Sequence, residues 1–540
     1  MIYAYLFEAR SIQSYVFAGG KLRDMVAASN LVEQLTGSVL DTTLNNLDIQ
    51  QDIVFSRRAG GAFYALSSNE NSIKKLASIW PLIVSGLAPS LEFITHISAD
   101  KQAYRAVTKG LDILRVKRNN PCPSFPIVPP IAQRAQRTGS GAIHSTKQGF
   151  SLPGESIDSS TEQKRKFAQK GLNESDSAAD ALAQKFSPLG ISPYWPKALT
   201  PEQGIKNKDV LPRGEHSHMA VIHIDGNGLG QLLIQLGESA ESAGEQYSDL
   251  YLSFSEAITK ATLIAAQRAV ADTLTPREGE TIAARPLVLG GDDLTIIVAA
   301  DKAIAFSRAF ICAFEESSAE SLHALKKRFS QLTVLAKKLP EKLTACGGIA
   351  FVKASYPFSS AAHLAEELCQ RAKTASENAK PVNAETKASS LCWHKVTTTS
   401  LASAEKIFTK ELAYEYADQQ HFVSLNAYSV LTKQSGLPSL DELLNVTRRW
   451  VTNKHVSKFR QYLGYLKTNP IQANVYHRRM LETHPDEIQQ TKSNLKEMWP
   501  IYEVDDALRY TVGDYTQSPL ADIIALAEFL AINKEKMDAA

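Results

Sequence analysis

Long apolar runs are missing from this 540-residue chain, and none approaches the ~18 residues needed to span a bilayer. A membrane-spanning helix is therefore not expected. Met1 leads straight into a short mixed strand without a signal-peptide pattern, which makes the cytosol the expected compartment. An excess of one charge is missing too: Lys and Arg number 59 against 57 Asp and Glu, for a net charge of +2. No global basic field advertises nucleic acid, so any such contact must come from a local patch. Cysteine is scarce, with Cys122, Cys312, Cys346, Cys369 and Cys392 far apart and no C-x-x-C. That excludes a disulfide framework and a sequence-obvious zinc site, and leaves buried thiols as the expectation. The twelve histidines include no H-E-x-x-H and no His-Asp pair. What the chain does have is apolar content, 44%, enough over this length for two to four domains with substantial cores.

Two short acidic strings stand out against that background. In MAVIHIDGNGLG an apolar run from Met219 to Ile224 reads as a buried strand ending at Asp225. Gly226, Gly228 and Gly230, with Asn227 among them, then let backbone amides approach a phosphate before a helix begins. In RPLVLGGDDLTIIVAA two apolar runs flank Gly290–Gly291, which reads as a β-hairpin with Asp292 and Asp293 at its tip. If the two strands are neighbours, three carboxylates converge, and their repulsion calls for cations. Hard oxygen ligands of this kind suit two Mg²⁺ or Mn²⁺ ions, which can clamp the attacking and leaving oxygens of an in-line displacement.

Taken singly, each string has a plain structural reading. A Gly-Gly-Asp-Asp turn can be a hairpin with solvated acids, and Asp225 can cap the following helix. Two β-branched strands that each deliver acid at a Gly-rich end are harder to explain by turn chemistry. His223, one alternation step from Asp225, is expected to be packed and not catalytic.

DGNGLG followed by GGDDL resembles the palm domain shared by GGDEF diguanylate cyclases, class III nucleotidyl cyclases and the large polymerase-like subunit of type III CRISPR effector complexes. The GGDD form is nearest to the last of these. The resemblance continues through LTACGGIAFVKASYPFSSAAHLAEELCQRAKTASE (343–377), where it implies a strand, a helix and a lysine, Lys373, that reaches nucleotide phosphates. Without the resemblance, Lys373 is a solvated lysine near a helix end.

The amino terminus, IYAYLFEARSIQSYVFAGGKLRDMVAASNLVEQLTG (2–37), resembles the opening of the first palm-like domain of those subunits. DIVFSRRAGGAFYALSS (52–68) has the outline of the 286–300 hairpin, so an internal repeat is expected. Ala62 and Phe63 stand where the second copy has Asp292 and Asp293, and Glu8 is the lone acid near the end of the first strand. One carboxylate cannot hold two divalent ions, so the first copy should be a catalytically dead wall.

The expected fold is α/β (α+β): two ferredoxin-like palm domains, the first degenerate, plus a helical C-terminal domain. The expected boundaries are 1–115 for the first palm, 116–215 for an irregular polar insertion, 216–385 for the catalytic GGDD palm and 395–540 for the helical domain. Many relatives fold a zinc motif into the insertion; here Cys122 stands alone, so the metal is expected to be lost. The missing His-Asp motif argues against the nuclease domain that those subunits often carry. Arg448, Arg449, Lys454, Lys458, Arg460, Lys467, His477, Arg478 and Arg479 form the densest basic stretch. It reads either as a contact for guide RNA or a complex subunit, or, in view of Asp441, Glu442 and Glu482 flanking it, as a solvated amphipathic surface.

Three functions stay open at this point. The first is a nucleotidyltransferase or cyclase that converts NTPs, ATP by resemblance, into cyclic or linear oligonucleotide messengers of antiviral defence. Asp225, Asp292 and Asp293 would hold two metal ions; Gly226, Asn227, Gly228, Gly290, Gly291 and Lys373 would bind nucleotide. The second is a non-catalytic scaffold that binds nucleotide or RNA. The third, a diguanylate-type cyclase, is disfavoured by Leu294, by Asp at the fourth position of the motif and by the duplicated palm.

Overall fold

The computed structural model describes residues 1–119, 128–143, 155–173, 180–201, 206–213, 218–230, 232–233, 236, 247–329, 339–379, 387–398, 402–431 and 436–538. Cys122 lies outside the described residues; Cys346, Cys369 and Cys392 are buried free thiols, and Cys312 is partly buried.

The amino-terminal sheet has the order β2-β3-β1-β4, built from β1 (Ile2–Arg10), β2 (Val54–Ala59), β3 (Ala62–Ser67) and β4 (Glu92–Asp100). Alternation sends successive side chains of β1 to opposite faces. Tyr5 and Phe7 pack with Phe63 and with Trp80 of a helix at Glu70–Leu87. Ala4 and Leu6 meet Tyr64, Leu66 and the Ala106–Val107–Leu114 stripe of a helix at Ala103–Arg118. Both faces are thus covered, and three aromatic rings lock the centre of the sheet.

The second sheet has the order β6-β7-β5-β8-β9-β12. Its strands are β5 (His218–Gly226), β6 (Ala284–Gly290), β7 (Asp293–Ala299), β8 (Ala345–Lys353), β9 (Ser390–Lys395) and β12 (Tyr428–Ser429). The first four repeat the first sheet strand for strand. Glu8 and Asp225 hold the same place: Phe7 faces Phe63 as Ile224 faces Leu294. The internal repeat read from sequence is therefore a repeat of topology. The sheet continues beyond residue 385 through β9, which runs parallel to β8.

The hairpin register corrects one detail. Ala59 pairs with Ala62 around the two-residue tip Gly60–Gly61, whereas Gly290 pairs with Asp293 around Gly291–Asp292. Gly61 and Ala62, not Ala62 and Phe63, therefore occupy the places of Asp292 and Asp293. The letters align one step off because the Gly-Gly pairs look equivalent in sequence, while the turns that contain them start one residue apart.

Gly348 shows how tightly the second palm is built. A Cβ there would lie 2.0 Å from the Ala365 carbonyl oxygen and 2.3 Å from the Cys369 amide nitrogen, both backbone atoms of the helix at Phe358–Asn378. Gly348→Ala is expected to destabilise the fold by at least about 3 kcal/mol, since a helix backbone cannot step aside as a side chain can. A denaturant titration checks this.

The stretch read as an irregular insertion contains two helices, Ser159–Asn173 and Ala181–Phe186. Buried Arg165 fastens the first to the palm, donating to Asp24 at 3.0 Å from both Nε and Nη2 and to Glu155 at 2.9 Å. The C-terminal region is mainly helical, with helices at Leu440–Thr452, Val456–Thr468, Pro470–Thr483, Pro485–Met498 and Leu520–Asp538. It is not helical throughout. Strands of three or four residues, too short to show a period, form a small sheet in the order β10-β11-β14-β13 from β10 (Ala413–Tyr416), β11 (Gln419–Phe422), β13 (Tyr510–Val512) and β14 (Tyr515–Gln517). The basic stretch is divided by its environment: Arg449 pairs with Glu487 and His477 is buried, while Arg448, Lys454, Arg460, Lys467, Arg478 and Arg479 are exposed. Among the described residues no helix is long and apolar enough to cross a membrane.

Candidate active site

Asp225 arrives on β5, and β7, the neighbouring antiparallel strand, brings Asp293 alongside it with Asp292 one step into the turn. Each of the three carboxylates offers an oxygen within 4.8 Å of the others. Two glycines make this possible. Gly291 holds φ +58, which L-residues rarely adopt. At Gly226 a Cβ would sit 2.9 Å from Asp292 Oδ2. Thr262, on the helix at Tyr247–Leu274, donates to the Gly291 carbonyl at 2.6 Å and pins the tip.

The cluster is electrostatically expensive. Burial pushes Asp292 up to about 7 and Asp293 well above the carboxylate range, and the charge of Asp225 adds to both. At Asp225 burial pushes the same way. Hydrogen bonds from Asp293 and the nearby Lys373 ammonium outweigh it and hold Asp225 below its ordinary value. Lys373 pairs with Asp225 and also donates to the Gly226 carbonyl at 3.1 Å. It thus occupies the acid cluster itself, a place that its helix position could not reveal.

The remaining sequence candidates divide. Gly228 has φ +73, and Gly290 and Gly291 line the main cavity. Asn227 is spent on the turn: its backbone amide donates to the Thr344 carbonyl at 2.8 Å and its side chain to Thr344 Oγ1 at 3.0 Å. His223 is buried against Thr295 Oγ1 at 3.1 Å, and burial lowers it to about 4, as befits a packed neutral ring. Gly290 lies against the first hairpin, its Cβ position 3.8 Å from the Gly60 Cα. The tips of the two repeats therefore touch.

Between them lies a cavity of about 770 Å³, inside the range of small-molecule sites, roughly 300–1,000 Å³. Asp292 and Asp293 form part of one wall, and Arg57, Arg115 and Arg118 come from the first palm. Asp225 and Lys373 face a smaller recess of about 270 Å³. The first palm keeps a counterpart of the acid–cation pair: Glu8 accepts from Arg118 Nε at 3.2 Å and from the Tyr64 hydroxyl at 2.6 Å. Arg118 ends the helix that follows β4, as Lys373 lies on the helix that follows β8. The lone acid of the first repeat is thus paired with Arg118, a half-exposed cation.

A family model for Cas10/Cmr2, second palm domain, matches residues 218–380. Residues 218–380 thus resemble the second palm domain of Cas10/Cmr2. Among curated proteins no relative matches the chain. Solved structures match most of its length. A Csm1-Csm4 cassette in complex with cA4 is 12% identical, with 98% of this chain and 70% of that chain covered and a TM-score of 0.52. A Csm1-Csm4 cassette in complex with pppApA is 13% identical, with 98% and 69% covered and a TM-score of 0.49. At such identity the first likeness speaks to the fold, and the fold is that of a Cas10-like palm polymerase followed by a helical region.

Lys373→Ala is expected to remove the countercharge of Asp225. If the site turns over nucleoside triphosphates, steady-state kinetics should then show KM raised about tenfold with a smaller change in kcat.

Proposed function

We propose that this protein is a metal-dependent nucleotidyltransferase that joins nucleoside triphosphates, ATP in the first instance, into cyclic or linear oligonucleotides with release of pyrophosphate. The observation that carries the reading is the convergence of Asp225, Asp292 and Asp293 within 4.8 Å of one another, beside a cavity that Asp292 and Asp293 line together with residues of the degenerate repeat. The donor set fits two Mg²⁺ or Mn²⁺ ions: it is all oxygen, and burial together with the charge of Asp225 pushes Asp292 and Asp293 up in the absence of cations. Bound there, such ions supply charge neutralisation at the reacting phosphorus and a nucleophilic 3′-oxygen at neutral pH.

The chain's own residues do the rest. Asp225, Asp292 and Asp293 hold the cations, the Gly228 turn presents backbone amides, and Lys373 moves its charge from Asp225 to phosphate. The first palm excludes water and fixes the second nucleotide. No covalent intermediate is required, because positioning and charge neutralisation suffice for phosphoryl transfer. The Csm1-Csm4 cassettes bound to cA4 and pppApA support oligoadenylate as the product class and a role in type III CRISPR-like defence. In that setting, other complex subunits and guide or target RNA would be its partners.

Mass spectrometry of the products formed from mixed NTPs with Mn²⁺ tests the reading. Oligonucleotides with pyrophosphate are expected. Unchanged NTPs, with or without added target RNA and partner subunits, would leave only a binding module.

A further inference from the structure

The first palm differs from the second at one place where a dead scaffold has no reason to differ. Each repeat's hairpin carries a β-bulge at the same position, one extra residue in β2 between Phe55 and Arg57 and one in β6 between Pro286 and Val288. Bulges re-aim side chains, often beside active sites. In the second palm the bulged residue and its successor are Leu287 and Val288, and Leu287 is fully buried. In the first they are Ser56 and Arg57. All but Leu287 line the cavity between the palms.

The protein leaves Ser56 unsatisfied and Arg57 only partly satisfied. Ser56 is 1% exposed, and its hydroxyl has no hydrogen-bond partner, a state that costs stability unless a ligand completes it. Arg57 carries five N–H donors. Among the described residues its one hydrogen bond goes to the Tyr64 hydroxyl, at 3.3 Å, while Glu8 and Asp292 act on it through space and not through a direct ion pair. Glu8 accepts its direct hydrogen bonds from Arg118 and Tyr64. The adjacent Arg58 is by contrast fully employed, on the Thr36 carbonyl at 2.7 Å and on Asp41 at 2.8 Å. A guanidinium with donors to spare and an orphaned hydroxyl thus line the same cavity as Asp292 and Asp293.

We propose that Ser56 and Arg57, re-aimed by the β2 bulge, form an anion subsite that takes a phosphate of the nucleotide bound in the cavity. This rests on the nucleotidyltransferase reading and assigns to the degenerate repeat a positioning role independent of metal. A guanidinium and a hydroxyl suit a phosphate oxygen geometrically as well as by charge. The subsite also accounts for what the second palm cannot supply: its own hairpin presents only acid and apolar groups to the cavity.

The test uses the full chain in EDTA, with inorganic pyrophosphate and ATP as separate probes, read by calorimetry and by melting temperature. Wild type is expected to bind both without metal. Arg57→Gln should weaken binding about tenfold or more, and Arg57→Lys should recover part of it. Ser56→Ala should leave the ligand-free melting temperature equal or higher, because an unsatisfied hydroxyl is removed, yet weaken pyrophosphate several-fold. A purely structural Ser56 would give the opposite sign. Asp292→Ala/Asp293→Ala should bind pyrophosphate at least as well as wild type, since like charge leaves the cavity. No metal-free binding by wild type, wild-type affinity in Arg57→Gln, or a lowered melting temperature in Ser56→Ala would each overturn the subsite. The nucleotidyltransferase reading fails separately, if Mn²⁺-dependent turnover survives in Asp292→Ala/Asp293→Ala.

Discussion

Replacing Asp292 and Asp293 together by alanine is expected to cut Mn²⁺-dependent turnover at least about a thousandfold while leaving the melting temperature unchanged or raised. The loss follows from the proposed role of the two acids as ligands whose charge balances cations at the reacting phosphate. The thermal result follows from the ligand-free protein, in which burial and the neighbouring Asp225 push both carboxyls up. Removing clustered, desolvated like charge relieves strain. Kinetics and calorimetry on the same preparation separate the two effects. Turnover within a few-fold of wild type would remove the two-metal account, and a collapsed melting temperature would make the turn structural.

Asp225→Asn and Glu8→Gln are expected to fail in opposite ways, although the two acids occupy the same place in their repeats. Asp225→Asn should cost orders of magnitude in kcat, because a cation ligand is lost. Glu8→Gln should change kcat by no more than about threefold. It should, however, cost about 1–3 kcal/mol of stability, because Arg118 and the buried Tyr64 hydroxyl lose a charged partner. Chemical denaturation read against kcat shows the contrast. Equal losses of turnover at both positions would mean that both repeats are catalytic.

The acid site was legible in the sequence because its parts are local. A strand ends at Asp225, a hairpin ends at Asp292–Asp293, and strand pairing brings the ends together. The repeat was legible for the same reason, down to Glu8 as the counterpart of Asp225. What escaped is non-local. The one-residue offset of the hairpin tips depends on which residues pair across each turn, and identical Gly-Gly letters conceal it. That Lys373 sits on Asp225, and Arg118 on Glu8, depends on how a helix end returns over the sheet. Arg57 left a trace, since Arg57–Arg58 is an unusual pair to place beside a buried hairpin strand. Only the bulge and the side-chain partners separate Arg58, held on the Thr36 carbonyl, from Arg57, which lines the cavity. The short strands β10, β11, β13 and β14 left none, because three or four residues cannot establish a period of two.

Counting bound Mn²⁺ by electron paramagnetic resonance, in the presence of a non-hydrolysable ATP analogue, tests the central claim most directly. Two ions per chain are expected in wild type and in Glu8→Gln, and none held at the site in Asp292→Ala/Asp293→Ala. An unchanged ion count in the double alanine variant, or loss of the ions in Glu8→Gln, would contradict one live acid site built on the second palm alone.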